Sequence, residues 1–314
     1  MIYTVTLAPG VFPGVSQVFK ELELLNLAKH IYVNQLNQIK PSDTVIFGAW
    51  HPQYSLYLRR CKAKKKYISW HSPLAQAELN NEPELIRLIL DLKKKGIIQG
   101  IVHMDEDNYK IFGGENDFYL PHPFSTDRFK EQRKKYAKAV DLKSISFFTA
   151  FGNKQKNIMC QLGGISLAQK KHPVMLHVND MPEVYRRFCD TLGIKYTDHG
   201  FIPEDKYYEM IYGTKLGLQV SVSEAFNYVV AIFLALGTPC IVSPAIAENF
   251  KIEEDPVLRV KNIDSPVEIS RKINDILEMD EEEYKVLSNE CVERIEKLSV
   301  KNNKKAKETI GKII

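Results

Sequence analysis

Ser221-Val222-Ser223-Glu224-Ala225-Phe226-Asn227-Tyr228-Val229-Val230, continued by Leu236-Gly237-Thr238-Pro239-Cys240-Ile241-Val242-Ser243, reads as a strand end, an apolar helix and the start of a second strand. The run 225–236 is apolar nearly all round, as a helix packed between layers must be. Gly237 is placed to cap it and Pro239 to open the next strand. Strand, buried helix and strand in succession is the repeating unit of a parallel α/β sheet. Glu224, expected in the first turn of this helix, has an ordinary role there, since acids are favoured near a helix N-terminus. Its other role would be a carboxylate at a strand end, facing a cleft and holding hydroxyl groups. Spacing alone does not separate the two.

The same alternation extends in both directions. Downstream of residue 143, strands are expected near 144–150, 174–178, 196–201, 216–222 and 239–243, with helices between them. The helix at 156–168 is expected to bury Ile158, Met159, Leu162 and Ile165. Upstream, strands are expected near 2–7, 44–47, 66–70, 99–103 and 118–120, accompanied by helices near 15–28, 84–95 and 127–140. The helix at 84–95 would bury Leu85, Leu88, Ile89 and Leu92 on one face. The charged segment Arg128–Lys143 reads as a linker. Two closing helices carry Ile269, Ile273, Ile276 and Leu277, then Tyr284, Leu287, Cys291, Ile295 and Leu298. The lysine-rich tail 301–312 is expected to fray. The chain is therefore expected to form two Rossmann-like α/β domains, 1–125 and 144–270, facing across a cleft, with 271–314 packing back toward the first. Ligands of open parallel sheets bind beyond the strand C-termini, which makes the cleft the expected site.

Composition excludes several classes of protein. At 314 residues, 44% apolar and 26% charged, the chain can build two cores without disulfides or metals. Its 43 basic against 39 acidic residues leave a formal charge of +4, too little to imply nucleic-acid binding. No apolar run reaches the roughly 18 residues of a membrane span. The N-terminus reads as a strand and not as a signal peptide. The five cysteines, at 61, 160, 189, 240 and 291, are scattered without a C-x-x-C pair, which excludes a zinc site and fits reduced thiols. The expected location is cytoplasmic, at most peripheral to a membrane surface.

Several short motifs carry possible chemistry. The first strand-to-helix loop holds Gly10 and Gly14, which would let a ligand approach the backbone and a helix N-terminus. Asn153-Lys154-Gln155-Lys156-Asn157 puts two lysines where a helix dipole disfavours cations, a penalty that a bound phosphate reverses. His51 and His71 each follow a strand end in the first half, where a neutral imidazole can bind a hydroxyl or assist proton transfer. Their ordinary role is a turn histidine bonded to backbone. Asp105-Glu106-Asp107 has the spacing of a metal-diphosphate site, but equally that of a helix start with Asp105 as cap. The clusters Lys62–Lys66 and Lys93–Lys95 read as solvated helix ends.

Glu224-Ala225-Phe226-Asn227-Tyr228 through Gly237-Thr238-Pro239 resembles the signature helix of GT-B-fold glycosyltransferases of the family 4 type (glycosyl transferases group 1). That pattern runs Ser-x-x-Glu-Gly-Phe-Gly, with a second glutamate after seven spacers, then Gly-Thr-Pro. Leu120-Pro121-His122-Pro123-Phe124-Ser125-Thr126-Asp127-Arg128-Phe129 is similar to the family's interdomain element. His199-Gly200-Phe201-Ile202 resembles the strand whose following backbone lies against the donor base. The resemblance implies a metal-independent hexosyltransferase that uses a nucleotide-sugar donor, with retention of configuration and no cofactor. It implies that Lys156, with Asn153, Lys154 and the Gly10–Gly14 loop, meets the donor diphosphate. Glu224 and the N–H groups of Phe226, Asn227 and Tyr228 would orient the hexose. His71 would touch the sugar and Phe201 would lie near the base; His51 stays a substrate-binding candidate from its place after a strand end. Two positions depart from the family: Ile232 stands where the second glutamate holds the ribose, and Phe151 where an arginine partners the lysine. Those departures leave open a catalytically inactive glycan-binding or regulatory protein, or a nucleotide-sugar epimerase or hydrolase. Saccharide, lipid carrier, protein and modified nucleic acid all stay open as acceptors.

Overall fold

The computed structural model describes residues 1–8, 13–48, 54–79, 82–135 and 141–313. They form two compact units, Met1–Ser125 together with Ser299–Ile314, and Thr126–Leu298.

The first unit carries β1 (Ile2–Thr6), β2 (Lys29–Tyr32), β3 (Thr44–Gly48), β4 (Lys65–Trp70), β5 (Gly100–His103) and β6 (Phe118–Tyr119). All neighbours pair in parallel, in the order β2-β1-β3-β4-β5-β6. Central strands are buried throughout, as in Thr44-Val45-Ile46-Phe47-Gly48, because helices cover both faces of a parallel sheet. Val5, Phe47, Ile68 and Ile101 meet Tyr54, Leu58, Ile89 and Leu92 in one apolar cluster. Leu88 is instead 37% exposed, so the 83–94 helix buries a narrower stripe than expected. The end of the last helix, Glu281–Ile313, completes this unit and does not fray. Ala306, Ile310 and Ile313 are buried, and the side chains of Ser299, Asn302, Asn303 and Thr309 donate to carbonyls of Phe124, His122 and Tyr119.

The second unit carries β7 (Asp141–Phe147), β8 (Met175–Val178), β9 (Tyr196–Asp198), β10 (Thr214–Gln219) and β11 (Cys240–Val242). These also pair in parallel, in the order β11-β10-β7-β8-β9. The chain runs outward from β7 to β9, then returns to lay β10 on the other side of β7. The order reverses between β7 and β10, and that is where a doubly wound sheet opens a crevice at its C-terminal edge. A helix at Asp127–Lys135, within the helix expected at 127–140, opens the unit. Met159 is 49% exposed, so the helix Ile158–Gln169 packs on Ile158, Leu162 and Ile165 without it.

Two helices begin later than the sequence suggests, and both shifts move a candidate residue. The apolar helix spans Tyr228–Ala235, because Asn227 caps it by accepting the Val230 N–H at 3.1 Å. Glu224 therefore precedes the helix and is not in its first turn. Lys154–Lys156 forms a separate 3-10 turn, and Asn157, at φ 50°, turns the chain before the next helix starts at Ile158.

Candidate active site

The loops that follow β7 and β10 flank the reversal point of the second sheet. Nζ of Lys156 donates to Oε1 of Glu224 across it, with only 13% and 8% of the two side chains exposed. Three hydrogen-bonded links hold these loops together. The Val222 N–H donates to the Gln155 carbonyl at 2.7 Å. Gln161 donates to the Lys156 carbonyl at 2.6 Å and accepts the Val220 N–H at 2.7 Å. Gln219 donates to the Phe148 carbonyl at 2.8 Å and accepts from Asn227 Nδ2 at 3.1 Å. Gln155, Gln161, Gln219 and Asn227 are all at least 97% buried, where such bonds are costly to lose. The backbone at the ion pair is thereby fixed from both sides.

Unmatched hydrogen-bonding capacity collects at the same edge. The Thr149, Ser221 and Ser243 hydroxyls and Gln155 Oε1 are buried without a partner. Most buried polar atoms in proteins are paired, so a cluster of open ones marks a place where water or ligand completes the set. Asn153 and Lys154 are exposed beside it, and Gly152 has no protein atom within 4 Å of where a Cβ would stand. On the other flank the Phe226 ring packs on Phe250 at 4.9 Å and on Tyr228 at 5.0 Å. Asn227 spends its side chain on Gln219 and the helix cap, so only its backbone faces a ligand role. Phe151 is buried against Phe147 and Tyr185, so an apolar ring and no cation stands at that position. Ile232 is 8% exposed among helix neighbours at 0%. Phe201 stands at the same sheet edge beyond β9, 91% exposed, after Gly200 at φ 60°. His177 and His199 hydrogen-bond each other at 2.9 Å nearby.

In the first unit, Gly10 and His51 lie outside the described residues. Gly14 sits in the first turn of the helix Pro13–Leu24, and a Cβ there would meet no atom within 4 Å. His71 follows β4, with Nε2 2.8 Å from Ser69 Oγ. The Ser69 hydroxyl gives its one proton to the Phe47 carbonyl at 3.2 Å, so it accepts from Nε2–H and leaves Nδ1 of His71 with a lone pair. Burial pushes the His71 pKa down to about 3 and holds the ring neutral. His122, edge-on at 6.1 Å, is pushed well down by burial and then by His71. Asp105 caps the helix Glu106–Phe112 by accepting the Asn108 N–H at 2.8 Å. Among the described residues no group of three or more histidine, cysteine or acidic side chains is disposed to hold a metal ion.

No protein-family profile and no curated protein sequence matches the chain. Solved structures do match it. A trehalose-6-phosphate protein of E. coli, bound with UDP-2-fluoro glucose, aligns at TM-score 0.70 and 10% identity, over 99% of this chain and 98% of the other. The UDP-forming α,α-trehalose-phosphate synthase of Burkholderia xenovorans aligns at 0.65 and 12% identity, over 96% and 97%. TarM of S. aureus, in a complex containing UDP, aligns at 0.66 and 14% identity, over 90% of this chain and 57% of that one. The fold is GT-B.

Within the second unit, the GT-B chain brings together Lys156 and Glu224, with Asn153, Lys154 and the 226–228 backbone on the two flanking loops. His71 and Gly14 belong to the first unit. Sequence reasoning missed Gln161, Gln219 and the structural duty of Asn227. Their signal was present: each glutamine is the lone polar residue in an apolar stretch, Ile158–Leu162 and Leu216–Val220. A buried amide is kept in such a place only when its bonds are needed.

Proposed function

We propose that this GT-B protein transfers a sugar from a nucleoside-diphosphate sugar to an acceptor hydroxyl. The observation that carries the reading is the Lys156–Glu224 pair at the reversal point of the second sheet, where a cation for phosphate and a carboxylate for hydroxyls stand side by side. The UDP and UDP-2-fluoro glucose bound in two of the similar structures agree with this choice of ligand.

In this reading Lys156, with exposed Lys154 and Asn153, stabilises the charge that develops on the leaving diphosphate. Fixed cations and amides do so best where water is scarce. No metal is needed, because lysines and a helix N-terminus neutralise the diphosphate. Glu224 and the backbone N–H groups of 226–228 orient the hexose, and Phe201 offers an aromatic face to the base. His71 of the first unit, neutral with a lone pair on Nδ1, is suited to accept a hydrogen bond from a hydroxyl. Transfer proceeds with retention. Five free thiols suit a reducing, cytoplasmic setting, and among the described residues no helix is long and apolar enough to cross a membrane.

The test is product analysis with a donor panel against saccharide, lipid-carrier, protein and nucleic-acid acceptors. Lys156→Ala and Glu224→Ala are each expected to lower kcat by about a hundredfold or more, the scale of losing one transition-state contact. Undiminished transfer in both variants refutes the assignment. A protein that binds glycans but shifts its melting temperature with no nucleotide sugar is the inactive binding module instead.

A further inference from the structure

We propose that Glu224 also sets specificity among nucleotides: by pairing with Lys156, it makes the site discriminate against a bare nucleoside diphosphate and in favour of its sugar conjugate. This rests on the reading above and deepens it.

The argument starts from what each group loses when a diphosphate arrives. Lys156 is nearly buried and already engaged by Glu224. The Gln155, Gln161 and Gln219 links keep the two loops from parting, so in this proposal Lys156 reaches a phosphate by swinging its side chain off the carboxylate and not by movement of the loops. A bare diphosphate takes the lysine and leaves Glu224 as an almost buried carboxylate, without a counter-charge and close to phosphate oxygens. Removing one partner from a buried pair is among the costlier changes a protein interior can undergo. A sugar nucleotide takes the same lysine, but its hydroxyls donate to the carboxylate it has vacated. The cost that falls on the bare diphosphate is thus offset only when a sugar is attached. After transfer the product diphosphate competes with Glu224 for Lys156 and is displaced, so the pair acts as a product-release device.

Calorimetric titration of the full chain with UDP and UDP-glucose, and in parallel with the ADP and GDP pairs, tests this. For the pair that binds, the sugar nucleotide is expected to be about tenfold tighter than its diphosphate, a difference of about 1.4 kcal/mol. Glu224→Gln, which keeps the shape and removes the competing charge, is expected to tighten the bare diphosphate about fivefold while weakening the sugar nucleotide, on the scale of a partly buried charge contact. Glu224→Ser frees Lys156 by a different route and is expected to move the diphosphate the same way. Lys156→Ala is expected to weaken both ligands. A diphosphate affinity that is unchanged or lower in both Glu224 variants, each melting cooperatively, overturns the proposal and leaves sugar transfer standing. A wild-type protein that binds no nucleotide of the panel rejects the sugar-transfer reading itself, and this proposal with it.

Discussion

His71 shows how one side chain can be both a candidate site group and a stability determinant. Its folded pKa of about 3 lies below the ordinary histidine value of about 6.5, so between those values the unfolded chain binds a proton that the folded chain refuses. Stability therefore rises with pH across that window and is lost as pH falls from 6.5 toward 3, by at most about 1.4 kcal/mol per pH unit. His122, also lowered by burial, adds a slope of the same sign. Urea unfolding between pH 5 and 7.5 should show the loss, and His71→Gln should flatten it by nearly one proton. An identical slope in the variant would mean that the imidazole is already protonated in the folded state. The same neutrality decides the group's chemistry: it can accept a hydrogen bond from a hydroxyl but is too weak a base to take its proton, and phosphate recognition is left to the lysines.

At the scale of elements, the helix Tyr228–Ala235 lies on β10 so closely that a Cβ on Gly217 would come within 2.6 Å of the Phe233 ring. Gly217→Ala is expected to destabilise the second unit by about 1–3 kcal/mol through overpacking, and Gly217→Ala with Phe233→Leu to recover part of that. Thermal melts of the two variants measure both effects; a wild-type melting temperature for Gly217→Ala would show that the helix shifts freely. This helix was legible from its apolar run and from Gly237, but its start was not. Asn227 ends the loop by accepting a helix N–H, and a capping asparagine inside an apolar stretch is easily read as the first turn itself. β2 was missed for another reason. Lys29-His30-Ile31-Tyr32 buries only Ile31 deeply, because an edge strand has one neighbour and keeps polar side chains toward solvent. Central strands such as β3 and β10, buried on both faces, were found without difficulty. The site followed the same rule: charged Lys156 and Glu224 stood out against their surroundings, while the glutamines that lock their loops looked like interruptions of a core.

For the molecule as a whole, the division into units does not follow the order of the chain. The first unit takes its final piece from 299–313, beyond the entire second unit. A chain ended after Leu298 loses the buried Ala306, Ile310 and Ile313, and with them the side-chain bonds to the Tyr119–Phe124 backbone. Limited proteolysis should then cut within 1–125 while 126–298 stays protected; equal protection of both would show that the helix end is dispensable. The same interleaving sets a schedule on the ribosome. Residues 1–125 emerge before the rest but remain an unfinished nascent unit until some 170 further residues have been translated, a wait of roughly nine to thirty-five seconds at about 5–20 residues per second. The stretch 126–298 is continuous and can close upon itself in the meantime. The later-synthesised unit is therefore the first to mature, and the exposed flank of the earlier one is what a chaperone would meet while translation is under way.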